Sequence, residues 1–252
     1  MARYQLILAY DGTHFFGFQR QGLKRTVQLE LETALRSLGW EGRAVLSAGR
    51  TDTGVHAVGQ VVAFDLDWKH TEDDLLRAVN ARLPADVAVR RVKIVDNHFH
   101  PRFDALSRRY RYQIYCSAVR DPLRDRYAWR IWPPVEVDIL EAAASRLLGQ
   151  HDFKAFGSPT KPGGSTVRLV MQANWVEKDD GLFFYITANA FLYRMVRRIT
   201  FAQVLVAQGI VPLEKFDEAI CQSQFFYPGL AEPQGLVLEE VSYSLTSKDE
   251  EI

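Results

Sequence analysis

Apolar and polar positions alternate from Arg3 to Tyr10, with Tyr4, Leu6, Leu8 and Tyr10 on one face, and Asp11-Gly12 follows as a turn. That period of two predicts a strand. Thr26 then opens a segment in which Val27, Leu31, Ala34, Leu35 and Leu38 recur at helical spacing, and Gly39 closes it. Val58 to Leu66 reads as a strand whose apolar face is Val58, Val62, Phe64 and Leu66, with Gln60 among them. Thr71 with Asp74 has the form of an N-terminal cap. Leu75, Leu76, Val79 and Leu83 continue that helix up to Pro84, and Val87 to Val95 is a further strand.

The second part has the same kind of elements. Arg109 to Cys116 is a strand with Tyr110, Tyr112 and Ile114 on one face and Arg109, Arg111 and Gln113 on the other. Asp138, with Glu141 three residues on, predicts a helix cap, and Gly149 the helix end. Gly157 to Ser165 is a Gly/Pro/Ser-rich loop carrying Lys161. Arg168 to Glu177 and Leu182 to Ala188 form a hairpin around Asp179-Asp180-Gly181. Phe191 to Gln208 reads as a long helix with Leu192, Met195, Ile199, Ala202 and Val206 as its stripe. A short helix from Pro212 and a strand from Leu236 to Tyr243 complete the pattern. The expectation is an α+β protein with an N-terminal domain over residues 1–104 and a C-terminal domain over 105–252.

Composition adds little to this until it is resolved along the chain. The 252 residues are 47% hydrophobic and 25% charged, ordinary for a globular protein, and only Ser247 to Ile252 lacks an ordering pattern. The net charge is zero, yet Arg102 to Arg130 holds eight arginines against three aspartates, and Gln208 to the end holds two lysines against nine acids. A neutral total therefore conceals a basic segment suited to phosphates, although a solvated charged surface has the same composition. Two cysteines far apart, Cys116 and Cys221, fit neither a disulfide scaffold nor a metal site. No secretory start is visible and no stretch has the length of a membrane span, so the expected location is cytoplasmic.

The chain has no phosphate-binding loop, dinucleotide fingerprint, His-Glu-x-x-His or paired-cysteine site, so no cofactor and no metal is expected. The segment Ser47 to Gln60 carries the chemistry. Gly49 and Gly54 bracket Arg50-Thr51-Asp52-Thr53, and glycines permit tight bends and close ligand approach. Arg50, two residues from Asp52, is placed to pair with it and hold it ionised. By itself the segment reads first as a polar turn in which Asp52 satisfies its own backbone.

Gly49 to Ala57 reproduces without a gap the signature Gly-Arg-Thr-Asp-x-Gly-Val-His-Ala, and by it the chain resembles the bacterial tRNA pseudouridine synthase A family. Further blocks agree in order: Tyr10 to Thr13 with Gly17 to Gln19; Phe99-His100, Arg102-Phe103 and Tyr110 to Tyr112; Gly149 to Phe153 with Phe156; Phe191-Leu192 with Met195 to Arg197; Pro233, Gly235-Leu236 and Val241 to Tyr243. The resemblance implies two mixed or antiparallel-sheet halves, helices packed on them, and an active-site cleft between. It implies conversion of uridine to pseudouridine at nucleotides 38 to 40 of the tRNA anticodon stem-loop, without cofactor, by a homodimer.

On that resemblance Asp52 is the catalytic carboxylate, Arg197 its cationic partner, and Tyr110 the ring on which the target base stacks. Arg50 and His56 are further substrate-binding residues, and Lys161 and the arginines from Arg102 to Arg130 are phosphate contacts. Spacing alone reads Arg197 as one of three surface arginines with Arg194 and Arg198, and Tyr110 as a core aromatic. Breaking the bond from N1 to the ribose builds positive character on the sugar, as in glycoside cleavage. The base is kept and no water is consumed, so one carboxylate suffices. Asp52 is equally suited to attack the sugar, take the C2′ proton or stabilise the cation. Two positions depart from the family pattern: Phe18 replaces a usual tryptophan, and Phe201 a frequent glycine of the long helix. Two other functions compete, a metal-dependent hydrolase or nuclease using Asp11 with Asp52, and an RNA-binding module without chemistry.

Overall fold

In the computed structural model, residues 1–222 and 226–244 are described; Ser247 to Ile252 lie outside them. The described chain has the α+β character expected. Its elements are β1 (Ala2–Tyr10), α1 (Val27–Arg36), β2 (Leu46–Ser47), β3 (His56–Leu66), α2 (Glu72–Asn80), β4 (Val87–Val95), β5 (Ala105–Cys116), β6 (Trp129–Ile131), α3 (Val137–Ser145), β7 (Gly149–Asp152), β8 (Val167–Lys178), β9 (Gly181–Ala188), α4 (Met195–Ala207), α5 (Leu213–Cys221) and β10 (Leu236–Tyr243). They form two compact units, residues 1–106 with 238–252, and residues 107–237. No helix of the described residues is long and apolar enough to cross a membrane.

In the first unit the strands run in the order β4-β1-β3-β10, with β2 paired to β3. β1 is antiparallel to both β3 and β4. Its alternation appears as burial: Tyr4, Leu6, Leu8 and Tyr10 are buried and the residues between them less so. Thr26 caps α1 by accepting from Leu29 N–H, and the apolar stripe Val27, Leu31, Ala34, Leu35 is buried. Thr71 and Asp74 form a reciprocal capping box at α2. The Asn80 side chain at its far end brackets Val89 of β4, donating to its carbonyl and accepting from its N–H, both at 2.8 Å.

One expected face needs correction. Gln60, Val62, Phe64 and Leu66 are buried as read, but Val58 is 40% exposed. Leu8 pairs with Gln60 while Tyr10 pairs with Ala57, so β3 takes three steps where β1 takes two. This bulge shifts the alternation by one residue, turning Val58 outward and Ala57 inward. A Cβ on Gly59 in the bulge would lie 2.0 Å from the Glu239 carbonyl, so only glycine lets β10 approach here.

In the second unit the order is β5-β9-β8-β7, with β6 parallel to β5 and the other pairs antiparallel. Tyr110, Tyr112 and Ile114 are buried on one face of β5, as the alternation requires. Trp175 of β8 stacks on Phe184 of β9 with ring centres 5.1 Å apart, and donates to Gln203 of α4 at 2.9 Å, fixing the helix to the sheet. Two helix starts differ from expectation. Asp138 lies inside α3, whose N-cap residue is Glu136 with no side-chain capping bond. The long helix begins at Met195 rather than Phe191, because Arg194 takes a left-handed conformation (φ 62°, ψ 11°) that cannot belong to a right-handed helix.

Candidate active site

The Gly49–Ala57 segment connects β2 to β3. Ala48 N–H donates to the Val61 carbonyl at 2.9 Å, so the loop leaves the sheet fully paired. Beneath it lies a buried polar group. The Tyr10 hydroxyl is 2.8 Å from Thr51 Oγ1, and buried Gln60 belongs to the same group. The Gln60 amide donates to the Gly49 carbonyl at 3.2 Å. Burial pushes the Tyr10 phenol up to about 12, against the smaller opposing pull of Thr51 and Gln60.

The segment following β1 packs against the same loop. Phe18 N–H donates to the Thr51 carbonyl at 3.1 Å, and Gly54 N–H to the Phe15 carbonyl at 3.3 Å. The close approach requires glycine. A Cβ on Gly12 would lie 2.0 Å from the Val55 carbonyl, and one on Gly17 (φ +82°) 2.7 Å from that of Thr51. Phe15 and Phe18 are buried. Phe18, where the family pattern has a larger ring, lies 6.3 Å from the Tyr10 ring. Asp52 sits on this doubly braced backbone. Its carbonyl accepts from Val55 N–H at 3.2 Å, closing the tip, and the residue is half-buried.

Arg50 is exposed, two residues before Asp52 on the same loop. His56 is buried. Its Nδ1 accepts from Gly12 N–H at 3.0 Å and stands 3.2 Å from Asp11 Oδ1. A ring nitrogen that accepts carries no proton, so the neutral ring has its hydrogen on Nε2. Asp11 in turn accepts from Thr13 N–H at 3.0 Å. Among the described residues no group of three His, Cys, Asp or Glu is arranged to hold a metal ion.

In the second unit Arg197 occupies the first turn of α4. It is 8% exposed, unlike exposed Arg194, so it is not a surface arginine. Its Nε donates to the Ala231 carbonyl at 2.8 Å, and Ala231 N–H donates back to the Arg197 carbonyl. Burial raises the neighbouring Tyr112 phenol well above its ordinary value, a shift the positive charge of Arg197 opposes; the Tyr112 hydroxyl donates to the Glu232 carbonyl at 2.6 Å. Tyr110, 9% exposed, meets the Phe191 ring edge to face at 5.1 Å. Phe201 stacks on Trp129 at 6.3 Å, and the missing side chain of Gly229 leaves room for its ring. A large residue at this point of the helix is thus matched by a glycine on the facing segment.

A family model described as tRNA pseudouridine synthase matches residues 6–104 and 143–244. The chain belongs to this family of isomerases. It is similar to proteins named tRNA pseudouridine synthase A over nearly its whole length. It is 38% identical to that of Geobacillus sp. (strain WCH70), covering 96% of this chain and 98% of that protein. The identity is 35% with that of Lactococcus lactis subsp. cremoris (strain SK11), over 96% and 98% of the two chains. It is 38% with that of Aeromonas hydrophila, over 96% and 90%.

Arg50, Asp52, His56 and Arg197 fall inside the stretches matched by the pseudouridine synthase family, while Tyr110 falls between them. Within the first unit the structure brings Asp52 and His56 onto one braced loop system; within the second, Arg197 and Tyr112 share a buried environment. Lys161 is exposed on its loop. Among the basic segment, Arg124 donates to the Asp180 carbonyl at 2.6 Å and Arg130 to that of Ser117 at 3.1 Å, so these two also serve as braces of the fold. Sequence reasoning did not single out Tyr10 and Thr51 as supports. The available signal was Gln60, an amide in an otherwise apolar strand face, which requires a buried partner.

Proposed function

We propose that this protein isomerises uridine to pseudouridine in the anticodon stem-loop of tRNA, at nucleotides 38, 39 and 40, in the cytoplasm and as a homodimer. The reading is carried by one observation above the rest. The ungapped Gly49–Ala57 signature is held from below by the Tyr10–Thr51–Gln60 group and presents Asp52 at its tip. The names of the related proteins support the reaction and the tRNA substrate.

Asp52 is the carboxylate that meets the sugar when the bond from N1 to C1′ breaks. The uracil is retained, turns, and bonds to C1′ through C5; the C5 proton is lost and N1 is left protonated, so nothing is added or removed overall. Tyr110 is the ring on which the extracted base stacks. Such stacking is worth about 1–3 kcal/mol and offsets much of the few kcal/mol that extraction costs. Arg197 balances the charge of the carboxylate, its own orientation fixed by the Ala231 carbonyl. Arg50, exposed beside Asp52, and His56 are the remaining substrate-binding residues, and no cofactor takes part.

The test is Asp52→Asn with unmodified tRNA. Binding is retained, because phosphate contacts dominate affinity, and pseudouridine formation, mapped chemically at each position, is abolished. Pseudouridine made by this variant at a rate near that of the parent refutes the role of Asp52. Product at positions outside 38 to 40 refutes the site assignment.

A further inference from the structure

Arg194 is the one non-glycine residue with positive φ among the described residues. A side chain in the left-handed region crowds the following carbonyl, and glycine takes that conformation freely. Arg194 makes no side-chain capping bond to offset the cost. Its guanidinium lies instead over the ring of Tyr193, 4.8 Å from the centroid. Both residues are exposed, Tyr193 to 47%.

The backbone beneath the pair is fixed. Tyr193 N–H donates to the Ser158 carbonyl at 3.0 Å. A Cβ on Gly157 would lie 2.6 Å from Leu192 Cβ, so the segments are in tight contact. Leu192 is buried, and Arg197, three residues after Arg194, is held by Ala231. An exposed aromatic ring with a guanidinium on it, carried by a hydrogen-bonded backbone, suits the two chemistries that single-stranded RNA presents: a flat base and a phosphate.

We propose that Tyr193 and Arg194 bind the RNA beside the nucleotide being isomerised, Tyr193 by stacking on an unpaired base and Arg194 by pairing with a phosphate. The inference rests on the tRNA-modifying reading above. Arg194 is a binding residue here, not a catalytic one.

The decisive variant is Arg194→Gly in the full chain, assayed with unmodified tRNA beside Tyr193→Leu and Asp52→Asn. Glycine relieves the strain, so Arg194→Gly melts at a higher temperature than the parent. Its KM for tRNA nonetheless rises about tenfold, with the loss in KM rather than kcat. Its binding falls less steeply with salt, by about one in the log–log slope. Tyr193→Leu raises KM and leaves the salt slope unchanged. If Arg194→Gly shows unchanged KM and slope, Arg194 only shapes the entry to α4 and the proposal is wrong. A lowered melting temperature would mark Arg194 as a brace of the fold and overturns it equally. Asp52→Asn separates the two readings: its failure to abolish product overturns the catalytic assignment, while binding by the Arg194 variant is read independently.

Discussion

Tyr10 decides how firmly Asp52 is presented. Its hydroxyl bonds to Thr51 in a buried setting, and its phenol is pushed up to about 12 from 10.0. The folded value lies above the unfolded one, so this stabilisation is present below pH 10 and is lost as the pH rises through 12. The group thus stays intact across the neutral range. Tyr10→Phe leaves the buried Thr51 hydroxyl short of a partner, at about 1–3 kcal/mol. The expected outcome is a lowered denaturation midpoint and a larger fall in single-turnover rate than in tRNA affinity. An unchanged rate would show that the loop needs no such support. Asp52 itself was legible because its neighbours form a contiguous string. Tyr10 was not, because it stands 41 residues from Thr51 and only β1–β3 pairing brings the two together.

Elements were legible where their signals are local. The cap Thr26 and the box Thr71–Asp74 act within three residues and appear where the sequence places them. At α3 the Asp138–Glu141 spacing suggested a box, but the helix starts from Glu136, with Asp138 in its first turn. There a carboxylate favours the helix dipole without capping it. The alternation of β3 failed at Val58 because a bulge depends on the partner strand. The α2 box also makes a pH prediction. The Asp74 carboxyl is lowered from 3.8 to about 2, first by the Thr71 side chain and then by Arg77 and the Thr71 backbone. A depressed carboxyl contributes stability that is present above pH 3.8 and lost as the pH falls to 2. Asp74→Asn should therefore flatten the acid side of the melting-temperature profile in that window. An acid limb identical to the parent's would rule out this contribution.

For the molecule as a whole, the last strand matters most. A linear reading divides the chain at about residue 104 and assigns everything after it to one domain. The chain from Leu238 instead lies in the first unit, where Leu238 and Val241 are buried and the Tyr243 hydroxyl donates to the Pro101 carbonyl at 2.8 Å. A chain ending at Val237 leaves the edge of β3 open except for its short pairing with β2, and open strand edges are prone to association. Amide exchange in β3 should accelerate markedly in that truncation. Protection equal to that of the full chain would show that β10 is dispensable to the unit.

The sequence by itself determined the α+β class, most strand and helix positions, and the string of residues around Asp52. Those properties follow from side-chain period and from interactions a few residues apart. Tertiary structure alone decided that Arg197 is buried, that Tyr10 and Gln60 carry the Asp52 loop, that β10 returns to the first unit, and that Arg194 starts α4 in a left-handed turn. Each depends on segments distant in the chain meeting in space, and neither periodicity nor local propensity encodes which ones meet.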